Sequence, residues 1–178
     1  MFGSHFYHAT VRKSVAVFGT MFNNIRVARK KGDGSLINQI KVPLAYGPKQ
    51  KFLSRLDTET GQDASIAIKL PRMSFERTGI ELDTTKKLGK RAIITEPGTT
   101  GTTTQRNSIK QFAPYNINMQ LNIMAKNQDD GLQIMEQILP FFQPDYTVTI
   151  KPIDGWSTFK QDVPVVLNGV AINNNRRQ

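Results

Sequence analysis

The chain has 178 residues, of which 38% are hydrophobic and 21% charged, enough to close one ordinary core and too few for two comfortable ones. Its 24 Lys and Arg against 14 Asp and Glu leave a formal charge of +10, which suits a polyanion or an acidic protein surface and does not choose between them. There is no cysteine, which excludes disulfide, thiolate-metal and cysteine-nucleophile chemistry, and the two histidines, His5 and His8, are a thin supply for any imidazole-based centre.

Val11, Val15, Phe18 and Phe22 recur at helical spacing and predict an α-helix over 10–22. Alternating runs at 25–29 and 40–46, separated by the turn cluster Lys30-Lys31-Gly32-Asp33-Gly34-Ser35, predict a β-hairpin with a basic tip. In its second run Ile40, Val42, Leu44 and Tyr46 share one parity, and Pro43, without an N–H, places the strand at an edge or interrupts its ladder. Phe52, Leu53 and Leu56 among basic residues predict a short helix over 49–56, entered through Pro48, and 57–64 reads as polar connection. Ile66, Ile68 and Leu70 alternate on one parity and Met73 and Phe75 on the other, so a bulge or bend at Pro71-Arg72 is expected between them.

From 83 to 110 the pattern fails. Thr and Gly dominate, and Lys86, Lys87, Lys90, Arg91, Arg106 and Lys110 face only Asp83 and Glu96, which reads as a long basic loop or extended arm with one apolar grip at Ala92-Ile93-Ile94. The clearest strand follows, with Ile117, Met119, Leu121, Ile123 and Ala125 facing a core and Asn116, Asn118, Gln120 and Asn122 forming an amide face. Asn127 to Asp130 supply an N-cap and negative charge for a helix through Leu132, Ile134, Met135, Ile138 and Leu139, whose broad apolar arc implies deep burial. Pro140 and Pro144 end it. Strands are predicted at Tyr146, Val148 and Ile150 and, after a turn at Asp154-Gly155-Trp156, at Val163, Val165 and Leu167, before an Asn/Arg tail. The fold class is α+β, a mixed or mainly antiparallel sheet flanked by two to three helices in a single domain, 1–178, with an extended loop over 84–110.

Catalytic patterns are missing. His5 and His8 form a pair without a third ligand and read as surface histidines, Asp129-Asp130 as helix capping rather than an acid–base pair, and Gly47-Pro48-Lys49-Gln50-Lys51 lacks phosphate-loop spacing. The sequence holds no G-x-S-x-G, H-E-x-x-H or dinucleotide fingerprint, so neither enzyme activity nor a cofactor is expected. The six cations of the arm are the candidate partner interface. No aromatic lies between Lys86 and Lys110 to stack a base, so an acidic protein neighbour suits the arm better than nucleic acid. Phe141-Phe142 read as core aromatics in preference to interface residues. No apolar run approaches the roughly 18 residues of a membrane span, and Arg12 and Lys13 interrupt the N-terminal apolar residues, so a soluble protein made in a cytoplasm, with no membrane partner, is expected.

At Glu136-Gln137-Ile138-Leu139-Pro140-Phe141-Phe142-Gln143-Pro144 the sequence resembles the tail sheath stabiliser and completion proteins of contractile-tailed bacteriophages. Met1-Phe2-Gly3 with Phe6-Tyr7, Phe22-Asn23-Asn24-Ile25, Lys41-Val42-Pro43 with Tyr46, Lys49 and Phe52, Leu70-Pro71-Arg72, Asp129-Asp130 and Asp162-Val163-Pro164 resemble that family in the same order, over about residues 1–172 and least in the arm. The resemblance implies a tail-terminator-like structural virion protein in the tail neck, assembled in the host cytoplasm. It implies a homohexameric ring that caps tail tube and sheath and joins them to head-neck connector proteins, with genomic DNA passing through without specific binding. Family members continue past Asn173 to Arg177 into further strand sequence, so a chain ending at Gln178 is expected to have a smaller sheet or one altered set of contacts. A ring subunit needs two unlike patches per chain, and the amide-rich strand face, the Pro43 strand and the arm are candidates. The alternative is a small basic nucleic-acid-binding module, suggested by the charge and the arm.

Overall fold

A computed structural model of the chain describes residues 5, 7–58, 70–86, 89, 91–97, 106–153 and 160–173. The first helix, α1 (Thr10–Met21), starts beside Ala9, and its Phe18 and Met21 pack against the core that Phe22, just past the helix, helps to form. Gly19 lies where a Cβ would come 3.0 Å from the Phe75 ring, so only glycine permits this approach without displacing the ring.

Strands β1 (Arg26–Lys30) and β2 (Leu36–Lys41) form the expected antiparallel hairpin. At its tip Gly34 takes φ +84°, and Asp33 accepts hydrogen bonds from the Ser35 hydroxyl at 2.6 Å and its N–H at 2.9 Å. Residues 40–46 do not continue as one strand. Val42 donates its N–H to Ile25 in the hairpin, Pro43 has none to donate and accepts from Met73 through its carbonyl, and β3 (Leu44–Tyr46) pairs in parallel with β4 (Arg72–Leu82) in another sheet. Pro43 is thus the switch point between two sheets, and the parity shared in the sequence does not become one buried face: Val42 is buried, whereas Ile40 and Tyr46 are exposed.

Helix α2 (Lys49–Thr58) buries Phe52, over whose ring the Arg72 guanidinium lies at 5.2 Å. The expected strand at 66–68 and the connection at 59–64 lie outside the described residues. β4 starts just past the predicted bend at Pro71 and runs beyond Phe75 to Leu82; it is the centre of the order β3-β4-β7, where β7 is Tyr115–Met124. Met73, Ser74 and Phe75 are all buried, as a central strand covered on both faces requires.

The expected loop over 84–110 contains structure: β5 (Ile93–Pro97) and β6 (Arg106–Lys110) pair antiparallel, with Ile94 opposite Ile109. The apolar grip at Ala92-Ile93-Ile94 is one half of a cross-strand pair whose partner, Ser108-Ile109, is too short to show an alternating pattern. In β7, Leu121 and Ile123 pack on the core as expected, but Asn122 and Met124, on the amide parity, are buried deeper. Both faces are therefore covered at that end of the strand, which alternation alone cannot reveal.

Helix α3 (Gln128–Ile138) runs into a 3-10 turn (Leu139–Phe141), and β8 (Asp145–Ile150) pairs antiparallel with β9 (Gln161–Val166). The turn predicted at Asp154-Gly155-Trp156 and the tail beyond Asn173 lie outside the described residues. The arc of α3 is narrower than the sequence implies: Asp130, Ile134 and Ile138 are buried, while Leu132 and Leu139 are exposed. Nor does Asn127 cap the helix through its side chain, or Asp130 serve only as first-turn charge. Asp130 is a buried carboxylate held by Arg29 of β1 through two bonds of 2.5 and 2.8 Å.

The glutamines of α3 complete this attachment. Gln133 Oε1 accepts the Ala28 N–H at 2.9 Å, and Gln137 accepts from Arg26 N–H at 3.3 Å while donating to the Arg26 carbonyl at 2.7 Å. Residues four apart on a helix thus serve residues two apart on a strand, and the side chains stand in for a neighbouring strand on the outer edge of β1. The core beneath is Phe22, Ile25, Val27, Val42, Met73, Ile134 and Ile138.

The fold is α+β, with three helices and small mixed or antiparallel sheets among the described residues. It divides into two units, one of residues 1–75 and 121–178, the other of 76–120. The second contains β5, β6 and the adjoining parts of β4 and β7, where Asn118 donates to Glu81 at 3.1 Å. There Asp83, bonded by the Thr85 hydroxyl, has its carboxyl held below the usual range.

Replacing Arg29 with Met leaves the Asp130 carboxylate buried without a counter-charge and should destabilise the fold by about 3 kcal/mol in chemical denaturation, whereas a double-mutant cycle with Asp130→Leu should recover much of the loss. The Ser35 hydroxyl and N–H hold the Asp33 carboxyl below its ordinary value. Its small contribution is therefore present at neutral pH and lost as pH falls through the lowered pKa. In Ser35→Ala, an NMR titration should find the Asp33 pKa moved back up.

Candidate functional site

The arm cations predicted as partner contacts lie in the unit of residues 76–120, and the four whose backbone is described are distributed over both ends of the β5–β6 pair and the turn before it. Lys86 is exposed and reaches Asp83 at 3.7 Å, three residues back. Arg91 is exposed just ahead of β5, and Lys110 closes β6 opposite Ile93 at that same end of the hairpin. Arg106 begins β6 opposite Pro97, at the other end. Its backbone lies four residue steps along the strand from that of Lys110, about 14 Å. Lys87 and Lys90 lie outside the described residues.

A different surface is built in the other unit. The Pro140–Pro144 stretch carries Phe141 and Phe142, whose rings both lie 6.4 Å from Tyr146 of β8 but differ in burial. Phe142 stacks on Phe22 with ring centroids 6.4 Å apart and planes at 19°, extending the core, whereas Phe141 is 64% exposed and meets Tyr146 of β8 edge-on at 6.4 Å. The expectation of two core aromatics therefore holds for one and fails for the other. Phe141 closes the 3-10 turn while Phe142 follows it with an extended backbone, and it is Phe142 that takes the inward place.

Together these rings, with Ile25, Ile138 and Pro140, line an open groove of about 480 Å³ in which Glu136 is the one charged lining residue. Its volume is in the range of recognition clefts, and its walls are mainly aromatic and aliphatic, with Asn24, Glu136 and Gln137 as the polar lining residues. Among the described residues no cluster of His, Cys, Asp and Glu could hold a metal, and no helix is long and apolar enough to cross a membrane. What this surface can do is bind an apolar segment.

Two further surfaces expose apolar residues where a monomer gains nothing from them. β2 is exposed along its whole length, presenting Leu36, Ile37 and Ile40, and among the described residues no strand pairs with its outer edge, while the edge of β1 is closed by Gln133 and Gln137. After β9 the chain runs on without regular structure and exposes Leu167, Val170 and Ile172. Of these residues only Ile40 belongs to a patch the sequence suggests, the Pro43 strand; Leu36-Ile37 sits beside the hairpin turn, and 167–172 reads as strand end and tail. Singly exposed apolar residues are ordinary, whereas grouped ones mark interfaces.

The family model described as T4-like virus Myoviridae tail sheath stabiliser matches residues 5–178. The chain is also 29% identical over 180 residues to the tail completion protein gp15 of Enterobacteria phage T4, an alignment covering 97% of this chain and 64% of that relative. The chain thus spans a little under two thirds of the length of the curated relative it matches. With a family match over nearly its whole length, the chain belongs to the T4-like virus Myoviridae tail sheath stabiliser family, as its motifs imply.

The two phenylalanines separate packing from surface. Phe142→Ala should cost about 3 kcal/mol in a denaturant midpoint measurement, through a lost ring and the cavity against Phe22. Phe141→Ala should stay within about 0.5 kcal/mol.

Proposed function

We propose that this protein is a structural component of the virion neck: a homohexameric ring that completes and caps the tail tube, holds the extended sheath, and connects the tail to head-neck proteins. The observation that carries this reading is the family match over residues 5–178. Three separate groups of exposed apolar residues, at β2, at the aromatic groove and at 167–172, support it, because a subunit in a ring needs unlike patches for its two neighbours and more for the structures above and below.

Tube, sheath and connector proteins are the partners of this role, and assembly takes place in the host cytoplasm. The whole chain acts as one domain, and Lys86, Lys87, Lys90, Arg91, Arg106 and Lys110 serve as contacts to acidic surfaces of neighbouring proteins. The role requires neither catalysis nor a cofactor. Genomic DNA passes through without specific binding, in keeping with an arm that has no aromatic residue between Lys86 and Lys110.

Purified protein should form a six-fold ring, free or on the ends of isolated tail tubes, in light scattering and negative-stain images. A protein that stays monomeric and leaves tubes unmarked would refute the reading. The rival basic nucleic-acid module predicts duplex binding whose log K falls with log salt by about 0.9 per phosphate contacted; a ring subunit should bind weakly or not at all.

A further inference from the structure

We infer that the outer edge of β2 takes up an extended, acidic segment of another protein as an added strand, with acids beside Lys41 and apolar residues beside Ile40. The inference goes beyond the ring reading and does not depend on it.

The hydrogen bonds of β1 reveal which backbone groups of β2 face outward. Arg26 and Ala28 turn their N–H away from the hairpin, to Gln137 and Gln133. Opposite residues of an antiparallel ladder either bond each other or both turn outward, so Lys41 and Gln39, which stand opposite Arg26 and Ala28, present N–H and C=O along the other edge. Among the described residues no strand pairs with that edge. The irregularity of the ladder lies between Arg29 and Lys30, toward the tip, and leaves 38–41 in regular register. Outward backbone groups on an exposed strand are a template for a further strand.

The side chains select the kind of strand. Ile40 stands opposite the fully buried Val27 and is itself 39% exposed, so an apolar residue set beside it extends the layer that Val27 begins. The opposite face is cationic, with Arg26 and Lys41 directly across from one another, a like-charge pairing that costs stability. Within 25–46 the one acid is Asp33, which Ser35 engages, and the charge of Arg29 is matched by Asp130. Arg26, Lys30, Lys31 and Lys41 are exposed and form no ion pair among the described residues; Glu136 lines the same groove as Arg26 but does not reach it. A second copy of this edge would set these cations against themselves. A strand of alternating acidic and apolar residues meets Lys41 on one face and Ile40 on the other.

Short labelled peptides serve as probes of the full chain: one alternating Glu and Val, one alternating Lys and Val, and the Glu peptide with its backbone nitrogens methylated, which keeps the charge and cannot donate to a ladder. In fluorescence anisotropy the Glu peptide should bind about tenfold tighter than the Lys peptide, and the methylated one should not bind. At saturation, NMR hydrogen exchange should slow at Gln39 and Lys41, while Val42, already bonded to Ile25, changes little. Lys41→Glu, at an exposed position, should fold as wild type and bring the two unmethylated peptides to within about twofold of each other.

No binding of the Glu peptide, equal binding of the Glu and Lys peptides by wild type, full binding of the methylated peptide, or unslowed exchange at Gln39 and Lys41 would each overturn the inference. Protection of those two amides that grows with protein concentration alone would also overturn it, assigning the edge to a second copy. The ring is tested by mass and symmetry, so the two readings fail separately.

Discussion

The attachment of α3 to β1 is the constraint on which the larger unit depends. A carboxylate taken fully out of water is costly unless it is paired and hydrogen-bonded, and Asp130 meets that requirement only in the one position where Arg29 reaches both its oxygens. That requirement sets the axial position of α3, because a shift by one turn would bury the carboxylate without its partner. With the helix so placed, Ile134 and Ile138 join Val27 and Phe22 in the core, and Gln133 and Gln137 meet the backbone of Ala28 and Arg26. Burial supplies most of the driving force and the polar contacts select the arrangement.

The same attachment decides which surfaces remain open. By filling the outer edge of β1 with side-chain amides, α3 leaves β2 as the edge of that hairpin with no partner among the described residues. By ending at Pro140, it delivers Phe142 to the core and Phe141 to the rim of the groove. Small sheets of two or three strands bury little of their own surface, and this chain compensates within its core while leaving apolar groups outside it. Grouped apolar residues left in water mark interfaces, and the chain belongs to a family of phage tail proteins.

Elements with a strong local signal are legible in the sequence alone. α1 follows its apolar stripe, the 30–35 turn carries its Asp-Gly and Asp33–Ser35 chemistry, and β7, β8 and β9 follow their alternation. The motif run from Glu136 to Pro144 carries the family. Less legible are features that depend on a second segment far away. The β5–β6 pairing joins two runs too short to announce themselves, and Arg29–Asp130 links residues 101 positions apart in neighbourhoods that read as a hairpin strand and a helix cap.

By itself the sequence determined what arises within a few residues of the chain: periodicity, turn chemistry, the missing donor of Pro43, the absence of thiols and the motifs of kinship. Only the tertiary structure decided which sheet each half of 40–46 joins, which of two adjacent phenylalanines turns inward, and which apolar residues stay in water. The reason is physical. A side chain's own chemistry sets its preference for burial, but the space available to it is set by segments distant in sequence, and when there are more apolar residues than inward places, packing chooses among them.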